Sequence, residues 1–236
     1  MLTGGAGNDR IKGGDGNDRL NGGVGTDVVD GGIGNDRITV TGTEARLDKV
    51  LGGAGTDTLL VIGTANLALA RFDAAASSIE IWQGNGKAVI GDAGANSFDF
   101  GGLATVRGIS FIDGGAGNDT LIGSDFADVL RGGTGADTLT GGEGDDRLSG
   151  GDDFDTFIFT AGFGQDTITD FTEGTGLKDV IQFDDALFAD FAAVKAAAVQ
   201  VGDNVEIRYD ADNVLTLTNV SLTGPVRLIS NDFDFV

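Results

Sequence analysis

Single apolar residues recur every nine positions along two stretches of this chain. Each lies between two residues that are mostly polar, and the intervening segments are rich in glycine. An apolar position of this kind between turn-forming segments predicts a short strand with one inward-facing side chain. The positions in residues 4–39 are Ile11, Leu20, Val29 and Ile38, and those in residues 114–149 are Leu121, Leu130, Leu139 and Leu148.

The repeating unit has the form GGxGxDxUx, in which U is the apolar residue. Copies occupy residues 4–12, 13–21, 22–30, 31–39, 52–60, 114–122, 123–131, 132–140, 141–149 and 150–158. Two copies are imperfect: GSDFADVLR at 123–131 lacks two glycines, and GGDDFDTFI at 150–158 has Asp153 at its fourth position. Glycines allow positive φ and let backbone carbonyls converge, so the first six positions predict a turn.

Two nonapeptides are expected to close one turn of a flattened, right-handed parallel coil whose U side chains stack in a narrow core. We therefore expect an all-β fold, a right-handed parallel β-roll or β-helix solenoid with a C-terminal β-rich cap containing one short helix. The expected segments are a first array at 1–60, degenerate coils continuous with it at 61–113, a second array at 114–158, and a C-terminal cap at 159–236.

Two segments interrupt or end this pattern. Residues 42–48 are expected to fill the opposite side of an extra turn, so that Asp57 pairs with the loop at Asp36. In the cap, residues 186–200 have helical periodicity and VEIRYDADNVLTLTNV predicts a hairpin with its turn at 210–213. A terminal unit of this kind covers the open end of a repeat coil.

The metal-free coil is not expected to fold. One buried apolar side chain per nonapeptide is little compensation for ordering nine backbone residues, several of them glycine. Stacking also brings each aspartate close to the one two repeats later, and the two carboxylates repel each other. A divalent cation between stacked loops would bridge the carboxylates and be coordinated by glycine carbonyls, which reverses the sign of this interaction.

The composition limits the classes of partner that the chain can bind and the catalytic motifs that it can contain. The chain of 236 residues has 37 acidic and 15 basic residues and a net charge of -22, which disfavours nucleic acid and anionic membranes and favours cations. There is no apolar run long enough for membrane insertion. The absence of histidine and cysteine excludes the Ser-His-Asp triad, the Cys-His dyad and the HExxH zinc site, so we expect no catalysis.

The nonapeptide resembles that of the RTX (repeats-in-toxin) family, a calcium-binding β-helix repeat. All-oxygen donors on flexible glycine loops suit calcium better than magnesium, and stacking suggests roughly five to eight ions. The resemblance implies as ligands the carbonyls of the second and fourth positions and the carboxylate of the sixth. These are Gly5, Gly7, Asp9, Gly14, Gly16, Asp18, Gly23, Gly25, Asp27, Gly32, Gly34, Asp36, Asp57, Gly115, Gly117, Asp119, Asp128, Gly133, Gly135, Asp137, Gly142, Gly144, Asp146, Asp155 and Asp166.

The C-terminal segments QDTITDF and LISNDFDFV resemble the end of RTX proteins exported by type I secretion, in which this region is the uncleaved export signal. The first repeat begins directly after MLT, so we expect a larger protein upstream. The leading hypothesis is thus a calcium-binding module of a bacterial secreted protein that folds outside the cell, in the extracellular space or at the cell surface, with calcium and the type I secretion machinery as its partners.

Two other functions remain open. The module could be adhesive, binding polysaccharide or its own copies in a surface layer, and an exposed apolar or aromatic stripe would favour this. It could also be the accessory tail of a secreted protease, lipase or alginate epimerase, because a repeat does not specify the activity of the protein that carries it.

Overall fold

The structure is a computed structural model, and it describes residues 1–42, 48–173, 178–223 and 228–236. Residues 43–47 of the predicted extra turn lie outside the described residues. The chain forms two compact units, one of residues 1–92 and 96–113 and the other of residues 93–95 and 114–236.

The first unit consists of short strands that pair with the next strand but one along the chain. Its elements are β1 (Leu2–Ala6), β2 (Arg10–Asp15), β3 (Arg19–Val24), β4 (Val28–Ile33), β5 (Arg37–Thr41), β6 (Lys49–Ala54), β7 (Thr58–Ile62), β8 (Leu67–Ala68), β9 (Arg71–Asp73), α1 (Ala74–Ser77), β10 (Ile81–Ile90), β11 (Ser97–Asp99) and the first part of β12 (Thr105–Ala116). The parallel orders are β1-β3-β5-β7-β10-β12, β2-β4-β6 and β9-β11. Two nonapeptides therefore form each turn, and Leu2, Leu20 and Ile38 lie in register.

The second unit continues the same rule and then ends in antiparallel strands. Its elements are the end of β12, then β13 (Thr120–Ile122), β14 (Val129–Thr134), β15 (Thr138–Thr140), β16 (Arg147–Asp152), β17 (Thr156–Phe159), β18 (Gln165–Ile168), β19 (Val180–Phe183), α2 (Phe191–Ala197), β20 (Ala198–Val201), β21 (Asn204–Arg208), β22 (Val214–Leu217), a 3-10 turn (Ser230–Asp232) and β23 (Phe233–Phe235). The orders are β14-β16-β18-β22-β21-β20 and β13-β15-β17-β19-β23. The prediction of a parallel β-solenoid with a β-rich cap is confirmed.

The eight predicted U side chains are buried, so they form the core as expected. Aromatic side chains fill the interior where the glycine-rich pattern lapses. In the first unit Phe72, Trp82 and Phe100 lie with ring centroids 4.9 to 5.0 Å apart. In the second unit Phe183 packs against Phe159 at 5.6 Å and Phe188 at 4.9 Å. Packing thus replaces the regular repeat as the source of cohesion in these segments.

The cap contains the predicted hairpin and a helix shorter than the periodic segment. The hairpin pairs β21 with β22, and its turn is held by Asp210, whose Oδ1 accepts from the N–H of Asp212 and Asn213. Helix α2 begins after Asp190, whose carboxylate accepts from the Ala193 N–H, and ends before Ala198, which is extended and starts β20. Leu187 therefore precedes the helix, because the N-cap at Asp190 sets its start.

A second helix, α1, was not predicted. Asp73 caps it by accepting from the Ala76 N–H, and Ser78 ends it in the left-handed region. Within the described residues, neither helix reaches the length or the apolar character that crossing a bilayer requires.

Candidate metal site

The three glycines of each loop are required for two different reasons. The predicted ligand glycines at the second and fourth positions have φ between 99° and 138°, a region that side chains disfavour. A Cβ on Gly23 or Gly25 would also lie 2.1 Å from the carbonyl oxygen of Gly5 or Gly7, respectively, in the neighbouring turn. At the first position the obstacle is different, since a Cβ on Gly22 would lie 2.3 Å from Oδ2 of Asp27. The loops therefore stack with no room for side chains.

The sixth-position aspartates form four columns, each following one side of a unit. In each step the N–H of one residue donates to a carboxylate oxygen in the next turn, as from Asp9 to Asp27 at 2.8 Å and from Asp18 to Asp36 at 2.7 Å. The carboxylate columns are Asp9-Asp27-Asp48, Asp18-Asp36-Asp57-Glu80, Asp119-Asp137-Asp155-Asp179 and Asp128-Asp146-Asp166. The predicted pairing of Asp57 with the Asp36 loop is confirmed.

The other oxygen of these aspartates has a different environment. In eight of them Oδ2 is buried and has no hydrogen-bond partner: Asp9, Asp27, Asp36, Asp57, Asp137, Asp146, Asp155 and Asp166. A buried oxygen without a partner costs free energy unless something else compensates it. A cation beside each of these oxygens would supply that compensation.

The donor set fits calcium. The oxygens that the loops offer are carboxylates and backbone carbonyls, which are the donors that this hard cation prefers. Across the described part of the chain, no group of three or more acidic side chains lies together closely enough to hold a metal ion. The predicted ligand set adds to these carboxylates the backbone carbonyls of the second and fourth positions.

Burial and crowding oppose ionisation of these carboxylates. Burial raises the pKa of Asp146 and of Asp155 to about 7 and that of Asp166 to about 8. Neighbouring carboxylates contribute to these raised pKa values, as Asp128 does to that of Asp146. Burial likewise raises the pKa of Asp137 to about 6. A cation beside these oxygens would reverse the effect, because it stabilises the charged form.

The two imperfect repeats behave differently. In 150–158, Asp153 adopts φ 81° in place of a glycine, and the Oδ2 of Asp155 stays without a hydrogen-bond partner. In 123–131, the Oδ2 of Asp128 accepts from the N–H and the hydroxyl of Ser124 at 2.7 and 2.8 Å. The residues around Asp128 therefore do not offer the arrangement that is predicted to bind calcium in the other loops.

Sequence reasoning missed three members of the columns: Asp48, Glu80 and Asp179. They accept from the N–H of Asp27, Asp57 and Asp155, respectively. Asp179 ends its column, because its N–H donates to the Thr172 carbonyl rather than to a further carboxylate. Its second oxygen accepts from the Thr172 N–H at 2.8 Å. All three stand two positions before a valine, tryptophan or isoleucine. The acidic-x-apolar triplet without its glycines was the signal that could have identified them.

The loop before Asp166 keeps the repeat geometry inside the segment expected to be the cap. Gly162 and Gly164 have φ 83° and 82°, and a Cβ on Gly164 would lie 1.8 Å from the Gly144 carbonyl oxygen. The Asp146 N–H donates to Oδ1 of Asp166. The predicted ligand Asp166 thus belongs to a regular column.

Fifth-position side chains form a second ladder in the opposite direction. The Oδ1 of Asn8 accepts from the Thr26 N–H, and that of Asn17 from the Asn35 N–H, at 3.0 and 2.8 Å. Asn35, Asn118 and Asp145 do the same for Thr56, Ala136 and Gln165. Two stacked loops with an asparagine at this position are therefore joined by reciprocal hydrogen bonds that require no metal.

Comparison with known proteins supports the repeat assignment. The family model of the RTX calcium-binding nonapeptide repeat, in its four-copy form, matches residues 3–38, 107–130 and 122–157. No curated protein gave a significant match. Among solved structures, the chain is similar to the extracellular lipase LipA from Serratia marcescens, with 21% identity and a TM-score of 0.35. The similarity covers 97% of this chain and 38% of the lipase.

Proposed function

Since residues 3–38 and 107–157 are RTX calcium-binding nonapeptide repeats, we propose that this chain is a module whose folding is driven by calcium. The metal-free fold buries carboxylates at a cost, and bound calcium stabilises only the folded state. Binding free energy then becomes folding free energy. The module would stay unfolded where calcium is scarce and fold where it is abundant.

The observation that carries this proposal is the row of buried Oδ2 atoms without hydrogen-bond partners. They lie in both units, as at Asp27 and Asp36 in the first and Asp137 and Asp146 in the second. Each of these aspartates belongs to a loop that stacks on the loop of the preceding turn. The carbonyls of the second and fourth positions of that preceding loop lie close to the backbone of the aspartate's own loop. The ligands proposed for calcium are those predicted above, except in the Gly123–Asp128 loop.

We further propose that the module supports type I secretion of a larger protein, and that it acts outside the bacterial cell or at its surface. A chain that stays unfolded at low calcium can pass through a narrow channel and fold after export. The C-terminal tail is part of the folded cap, since β23 pairs with β19 and the Asp185 N–H donates to the Val236 carbonyl. Folding would therefore incorporate the tail into the sheet of the cap once export is complete.

Two exposed apolar side chains of the first array, Val24 and Ile33, do not form the stripe that would favour the adhesive alternative. Val24 and Ile33 are exposed, but they belong to β3 and β4, which lie in different sheets. Their neighbours in register are small or polar: Ala6 beside Val24, and Asp15 and Ala54 beside Ile33. Scattered apolar residues of this kind are usual on soluble proteins. Catalysis is not part of the proposed function, because the sixth-position aspartates are already assigned to the proposed calcium loops.

The test is far-UV circular dichroism of the calcium-depleted chain during a calcium titration, with magnesium at equal concentrations as the control. Trp82, the single tryptophan, is fully buried and reports folding of the first unit through its emission. We expect a cooperative gain of β signal and a blue shift of emission with calcium alone. Full β structure in calcium-free solution, unchanged by either ion, would contradict the proposal.

A further inference from the structure

In the Gly123–Asp128 loop, one carboxylate oxygen of the aspartate accepts hydrogen bonds from protein groups, without a metal. Oδ2 of Asp128 accepts from the Ser124 N–H and from the Ser124 hydroxyl. In the loops of Asp137 and Asp146, the same oxygen is buried and has no hydrogen-bond partner. Ser124 is itself buried, so its two donors are directed inward rather than to solvent. Ser124 therefore supplies to Asp128 the partners that the regular loops lack.

The backbone of this loop also departs from the common conformation. Ser124 and Phe126 stand at the second and fourth positions, where the regular loops have glycines with φ near 100° or above. Neither residue has a positive φ. The Phe126 N–H donates to the Ser124 hydroxyl oxygen at 3.3 Å. The two carbonyls proposed to bind calcium elsewhere thus belong here to a loop of different shape.

The Gly150–Asp155 loop shows that a sequence imperfection alone does not have this effect. Asp153 replaces its fourth-position glycine, yet the residue takes a positive φ of 81°. Oδ2 of Asp155 remains buried and without a hydrogen-bond partner. The two imperfect loops differ at the second and fourth positions, and it is Ser124 at the second position that donates to Oδ2 of the aspartate.

We propose that the Gly123–Asp128 loop is a calcium-free turn of the second array, in which Ser124 takes the place of the ion beside Asp128. This inference rests on the proposed function, because it assumes that the regular loops bind calcium. Stacking continues through the turn, since the Asp128 N–H donates to Oδ1 of Asp146 at 2.8 Å. The second array then binds fewer ions than its number of repeats suggests.

The first test compares the calcium content of the full chain and two matched variants, Asp128→Asn and Asp137→Asn. Bound calcium is measured by equilibrium dialysis and atomic absorption at saturating calcium. We expect Asp137→Asn to lose at least one ion per chain and Asp128→Asn to keep the wild-type number. Equal losses in the two variants would overturn the inference while leaving calcium-driven folding intact.

The second test restores the consensus. The variant Ser124→Gly/Phe126→Gly has the loop GGDGAD, which frees Oδ2 of Asp128 and permits positive φ at both positions. We expect it to bind one ion more than the wild-type chain, and an unchanged number would overturn the inference. If Asp128→Asn does not fold at saturating calcium, as judged by circular dichroism, the ion count of the Ser124→Gly/Phe126→Gly variant tests the inference instead. A wild-type chain that binds no calcium would overturn both the inference and the proposed function.

Discussion

The N–H of Asp36 donates to Oδ1 of Asp57 at 2.7 Å, although 21 residues separate the two in the chain. Within the regular arrays the equivalent separation is 18, as between Asp18 and Asp36. It rises to 23 between Asp57 and Glu80 and to 24 between Asp155 and Asp179. The carboxylate columns therefore tolerate insertions between loops. In each turn the hydrogen bond from N–H to carboxylate and the pairing of the strand that follows align the loop with the one in the neighbouring turn.

Acidification should stabilise the calcium-free fold. The folded pKa values of Asp146, Asp155 and Asp166 are raised to about 7, 7 and 8, above the value of about 4 expected when the chain is unfolded. A raised carboxyl pKa favours folding below the unfolded value, and this contribution is lost as the pH rises through the folded value. We expect circular dichroism of the calcium-depleted chain to show more β structure at pH 5 than at pH 8.

The matched variant for this experiment is Asp146→Asn/Asp166→Asn, which cannot titrate at these positions. It should show a smaller change between pH 5 and pH 8 than the wild-type chain. A calcium-free chain that gains structure as the pH rises would contradict the assignment of these buried carboxylates.

Replacing Asp36 by asparagine should separate its role as a hydrogen-bond acceptor between turns from its proposed role as a charged calcium ligand. The variant keeps an oxygen that can accept from the Asp18 N–H but lacks the negative charge. A hydrogen bond to a charged group contributes about 1.5–3 kcal/mol. We expect loss of the charge beside calcium to cost at least as much, so the calcium midpoint should rise by roughly tenfold or more. A calcium titration followed by Trp82 emission measures this. An unchanged midpoint would show that Asp36 is not a ligand.

Alanine at Gly22 should disrupt the first array even when calcium is saturating. Its Cβ would lie 2.3 Å from Oδ2 of Asp27, and relieving such an overlap costs about 1–3 kcal/mol. Chemical denaturation monitored by Trp82 emission gives the change in unfolding free energy. The control is Val24→Ala, an exposed position at which the effect should stay within about 0.5 kcal/mol. Equal effects of the two substitutions would contradict the close stacking at Gly22.

The asparagine ladder should contribute to stability without changing the number of ions. Asn35→Ala removes the oxygen that accepts from the Thr56 N–H, and we expect a loss of about 0.5–1.5 kcal/mol. Asn35→Asp should recover part of this loss, since Asp145 accepts from the Gln165 N–H at the equivalent position. Denaturation at saturating calcium and equilibrium dialysis test the two effects. A lower ion count in Asn35→Ala would instead make Asn35 part of the metal site.

The repeat made much of this molecule predictable. The nine-residue period placed the U side chains in the core, and the glycines at the second and fourth positions indicated turns with positive φ. These features are local, because the conformation that a loop must adopt limits the residues that it can contain. The all-β coil, the hairpin at the cap and the contact of Asp57 with the Asp36 loop followed from the same periodicity.

The tertiary structure decided what depends on contacts between turns. Asp48 and Glu80 join the columns because strand pairing brings them beside Asp27 and Asp57, although glycines do not mark their loops. The sequence marks Asp128 and Asp155 alike as members of imperfect repeats, but only Asp128 has a serine whose donors reach its Oδ2. The period determined where each aspartate stands, whereas the partners of its two oxygens depend on residues brought close by loop geometry and by stacking across 18 to 24 positions.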